Sequence, residues 1–92
     1  MNTDVVRFEL HEASSHLQEL VARLNDGNIG EDDSSVLCLQ LAHLMDHLCR
    51  AWNCKDLTPE KHGNLPQDEF ERLSHTIPNF MGQRILGEFA FC

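Results

Sequence analysis

The apolar residues Val6, Leu10, Ala13, Leu17, Leu20 and Leu24 recur at intervals of four, three, four, three and four. That spacing draws one continuous stripe along a helix and is incompatible with the two-residue alternation of a half-buried strand. The helix is expected to run from Thr3 or Asp4 to Leu24, with Asp4 suited to the positive end of the helix dipole. Asn25, Asp26 and Gly27 supply the stop, with Gly27 at the left-handed position just past the helix end. A stripe this long has to be covered by a partner element.

That partner is the next segment. After an acidic loop ending in Glu31, Asp32 and Asp33, residues Ser34 to Asn53 carry Leu37, Leu41, Leu44, Leu48 and Ala51 or Trp52 at alternating fours and threes. Asp33 or Ser34 can cap this second helix. Cys38, Met45 and Cys49 widen its apolar stripe beyond 100° of the circumference, so it is the central helix, antiparallel to the first across the loop. Thr58 before Pro59 and Glu60 marks one short turn ending near Gly63. Pro66 opens a third helix through about Thr76, with Phe70, Leu73 and Ile77 on one face, and Pro78 ends it. The tail from Asn79 to Cys92 carries Phe80, Phe89 and Phe91 and is expected to pack on the rest. The fold class is therefore all-α: one domain over 1–92, a small bundle of three to four helices built on an antiparallel helical hairpin, with an apolar C-terminal tail packed on it.

Charge narrows the partners. Fifteen Asp and Glu against seven Lys and Arg give a formal charge of −8. No cationic excess is present to neutralise nucleic-acid phosphates or dock on anionic lipid. No apolar run approaches the roughly 20 residues of a membrane span, and Asp4 and Glu9 give the N-terminus no signal-peptide character. A cytoplasmic location is expected. Cys38, Cys49, Cys54 and Cys92 form no C-x-x-C pair, and Cys38 and Cys49 lie about 16 Å apart on one helix, beyond disulfide reach. Free, mostly buried thiols are the expectation.

Six histidines are the compositional oddity. His43 and His47 stand at i and i+4 on the second helix, the separation that lets two imidazoles share one metal ion. A helical wheel places them with Asp46 and Arg50 on the polar side, opposite the leucines. His16 flanks the core stripe of the first helix and His11 faces away from it. With no E-x-x-H element, the pattern favours structural or surface histidines, and no cofactor is expected.

No catalytic arrangement stands out. The serines lie in helices or at caps, none in a G-x-S-x-G turn, and Gly27 and Gly30 do not make a phosphate loop. No catalytic activity is expected and no catalytic residue is assigned. The region from His43 to Asn53 is where function is expected, because Trp52, the only tryptophan, lies close to Arg50 and both residue types are enriched at interface hot spots. The leading expectation is a small cytoplasmic interaction module that binds a protein partner or associates with itself. Its candidate contacts are His43, His47, Arg50, Trp52 and Phe89. The alternative is a helical bundle that binds a metal through His43 and His47 with a ligand from another helix or chain.

Overall fold

The computed structural model describes residues 1–78, and within them the chain is all-α. Four helices follow in order: α1 (Thr3–Asn25), α2 (Ser34–Asn53), α3 (Pro59–Gly63) and α4 (Gln67–His75). The expected tail from Asn79 to Cys92, with Phe89, lies outside the described residues.

Local signals set the helix ends. Asn2 caps α1 by accepting the Asp4 N–H at 3.1 Å, and Asp4 sits in the positively polarised first turn. Past the other end Gly27 adopts φ +77°, while the Asn28 and Ile29 amides return to the Arg23 carbonyl and Ile29 is buried under the turn. At α2 the expected side-chain cap is absent. The Asp33 carboxylate instead accepts the Gly30 N–H at 2.8 Å and tightens the loop before the helix. Thr58 caps α3 through the Lys61 N–H, with Pro59 in the first turn. Asn53 donates to the carbonyls of Leu73 and Thr76, both at 2.8 Å, and so ties the end of α4 to the end of α2.

α1 and α2 form the expected antiparallel hairpin, since residues late in α1 face residues early in α2 (His16 with His43) and Glu9 faces Arg50. α4 packs on α2, and α3 rests against α1. The buried faces differ from the leucine stripes. In α1 the inward line is Val5, Glu9, Ala13 and Leu20, with His16 half-buried between, whereas Leu10, Leu17 and Leu24 are each 46% exposed. In α2 the buried residues are His47, Cys49, Arg50 and Ala51, while Leu48 is exposed. His47 and Arg50 thus lie inside, not on the polar outer side expected from the helical wheel. The inversion has a physical reason. A polar face can turn inward when the facing helix supplies matched donors and acceptors, and here each helix supplies what the other lacks.

Candidate metal centre and the carboxylate behind it

The centre of the hairpin interface is polar. Glu9 is 2% exposed and accepts three hydrogen bonds from two other helices. His47 Nδ1 of α2 donates to Oε1 at 2.8 Å, Arg50 Nε of α2 to Oε2 at 2.9 Å, and His62 Nε2 of α3 to Oε2 at 2.8 Å. Arg50, 5% exposed, extends the network by donating from Nη1 to Ser74 Oγ of α4 at 2.6 Å. Its guanidinium also lies 4.5 Å from the Phe70 ring centre. Burial on its own raises the Glu9 pKa. The hydrogen bonds from His47, Arg50 and His62 outweigh it, so Glu9 sits below the ordinary glutamate value and is a carboxylate.

This carboxylate fixes the state of His47. Arg50 Nη2 approaches His47 Nδ1 to 2.9 Å while Glu9 Oε1 approaches the same nitrogen to 2.8 Å, and one nitrogen cannot accept from one and donate to the other. A lone pair on Nδ1 would face a carboxylate lone pair at hydrogen-bond distance, so the proton is assigned to Nδ1. In the neutral imidazole the lone pair is then on Nε2. That atom is buried and has no hydrogen-bond partner among the described residues.

The unpartnered nitrogen belongs to a group of three imidazoles. His16 of α1 and His43 and His47 of α2 each offer a ring nitrogen, and these atoms all lie within 4.8 Å of one another. His16 Nε2 and His43 Nε2 are 3.1 Å apart. The His16 and His47 rings stack at 25° with centres 5.0 Å apart, and His43 stands edge-on to both. Two nitrogens bound at about 2.0–2.1 Å to one tetrahedral ion are separated by roughly 3.3 Å, close to the His16–His43 separation, and His47 would have to move toward that pair wherever its nitrogen lies farther off. Burial is graded across the group, with His47 buried, His16 half-buried and His43 exposed. The His43 pKa is lowered, first by desolvation and then by His16 and His47, which favours the neutral form that a metal needs.

Of the residues singled out in the sequence, His43 and His47 come together in this group, joined by His16. Arg50 holds the carboxylate behind it. Trp52 is half-exposed with Lys55 Nζ 4.5 Å from its ring centre, away from the group. His11 is exposed and is not part of the group. Glu9, His16 and His62 were missed as site residues. A signal existed for the first two: Glu9 and His16 are seven apart on α1, and His43, His47 and Arg50 stand at 0, +4 and +7 on α2, two polar lines that meet when antiparallel helices pack. Nothing in the sequence around Pro59–Gly63 announced His62. Cys49 and Cys54 are free, buried thiols whose pKa values burial raises, as expected, but the expectation of free thiols fails at Cys38, which is disulfide-bonded. No helix of the described residues is long and apolar enough to cross a membrane.

No family model, no curated protein and no solved structure matches the chain.

Proposed function

We propose that this protein binds a transition-metal ion of the zinc class at His16, His43 and His47. The observation that carries the reading is the buried, unpartnered Nε2 of His47, left with the lone pair by the bond from Nδ1 to the Glu9 carboxylate, on a ring grouped with two further imidazoles. A carboxylate behind a ligating histidine is the usual means of fixing its tautomer and raising its basicity. An all-imidazole set suits Zn²⁺, Ni²⁺, Cu²⁺ or Co²⁺ and not the hard cations Mg²⁺ or Ca²⁺. The ion would bridge α1 to α2 and leave any fourth position toward the exposed His43 side.

Native mass spectrometry of the untagged chain with one equivalent of zinc tests this. A single-ion adduct is expected in the wild type and absent in the double variant His16→Ala/His43→Ala, with helical circular dichroism retained. Equal zinc occupancy in the variant, or none in the wild type, overturns the reading.

A second reading, self-association, is supported by large apolar side chains at the surface: Leu39 is 69% exposed, and Val21 and Leu24 are nearly half exposed. Sedimentation of the metal-free chain tests it. A monomer at about 100 μM, a concentration far above the Kd of a stable complex, refutes it.

A further inference from the structure

The far side of the Glu9 network opens into a cleft between α1, α3 and α4, with a volume of about 590 Å³. That is within the roughly 300–1,000 Å³ range of small-molecule sites. Val5, Phe8, Pro59 and Phe70 give it apolar and aromatic walls. Phe8 is 54% exposed, with the His62 ring edge-on at 5.5 Å between centres.

The polar groups of the cleft are unevenly satisfied. Its cationic and imidazole groups, Arg50, His47 and His62, are directed into Glu9 and Ser74 by the bonds already described. Asp4 is paired with Arg7 at 3.0 Å. Glu12, half-buried on the α1 wall one turn beyond Glu9, has no hydrogen bond or ion pair among the described residues. What the cleft offers a ligand is therefore one uncommitted carboxylate beside aromatic surface, in a chain of formal charge −8.

We propose that this cleft binds a small aryl-alkyl ammonium ion, its ring against Val5, Phe8 and Pro59 and its ammonium on Glu12. Aromatic faces attract organic cations and repel the carboxylates of isosteric anions, so charge discriminates as strongly as shape. This inference does not depend on the metal reading, because Glu12 and Phe8 are not among the three metal-binding imidazoles.

The test uses the isotopically labelled full chain with a chelator present and three ligands of nearly one shape: 2-phenylethylamine, 2-phenylethanol and phenylacetate. At pH 7 the amine is expected to cause saturable amide shifts at Val5, Phe8, Glu12 and Gly63, with the alcohol weaker and phenylacetate without effect. Glu12→Gln, which breaks no described bond and so keeps the fold, is expected to weaken the amine about fivefold, the scale of one partly exposed ion pair. Absence of saturable shifts, equal binding of phenylacetate, or unchanged affinity in Glu12→Gln overturns the proposal.

Discussion

Glu9→Gln tests the coupling between the carboxylate and the imidazole group. Oε2 of Glu9 accepts two donors, Arg50 Nε and His62 Nε2, and Oε1 accepts one, His47 Nδ1. Glutamine keeps one acceptor oxygen. It is expected to place that oxygen where two donors converge and to turn its NH₂ toward His47. His47 must then accept at Nδ1, and its proton moves to Nε2, the buried atom without a hydrogen-bond partner among the described residues. The ligand lone pair is lost although every imidazole remains. Loss of such an orienting partner typically lowers metal affinity 10–100-fold, or about 1.4–2.7 kcal/mol. The substitution also removes the only ion-pair partner of buried Arg50 among the described residues. Breaking a buried pair costs about 3–5 kcal/mol, and the retained amide acceptor places this variant near the lower figure. At about 4–8 °C per kcal/mol for a domain of this size, the melting temperature of the metal-free variant falls by about 12–24 °C. The assay is zinc titration against a competing chelator, at a temperature where circular dichroism shows both proteins folded. A folded Glu9→Gln that binds zinc within about twofold of wild type, well short of the expected loss, would refute the tautomer argument.

Two further outcomes follow from features of the fold. Because the Glu9 pKa is depressed in the folded chain, its contribution to stability is complete above the ordinary glutamate value of 4.5 and is lost as pH falls below it toward the folded value; denaturant midpoints measured from pH 6 to pH 3 should drop in that window, and the drop should be much smaller in Glu9→Gln. Gly27→Ala places a side chain at φ +77° with no atom within 4 Å of the new Cβ, so the cost is backbone strain alone, about 1–2 kcal/mol by urea denaturation, and no loss at all would contradict the left-handed turn.

The helices and their order were legible because stop signals and periodicity are local. Gly27, Thr58–Pro59 and Pro66 each act within a few residues of themselves, and α1, α2 and the short α3 lie where those signals put them. The inward faces were not legible to the same degree. Periodicity ranks residues by transfer free energy and assigns Leu10, Leu17 and Leu24 to the core, but it does not register that Glu9 and His16 on one helix can satisfy Arg50, His47 and His43 on another. Such compensation is a property of pairs more than 25 residues apart in sequence, such as His16 and His43. The i, i+4 pair His43–His47 was visible, and the third imidazole of the group, His16, needed the hairpin register to bring it in. His62 depends on the path of the chain after α2, which no local pattern specifies.

The Glu9 carboxylate touches α2 and α3 directly and reaches α4 through Arg50 and Ser74. This has a consequence for how the sequence can change over generations. Replacing Glu9, His47 or Arg50 singly leaves a buried charge or donor without its complement, whereas exchanging the whole set for well-packed apolar side chains can be neutral or stabilising. These positions are therefore coupled in inheritance: lineages that keep the fold are expected to change them together or hold them all, and a lineage that holds them all also retains the lone pair on His47.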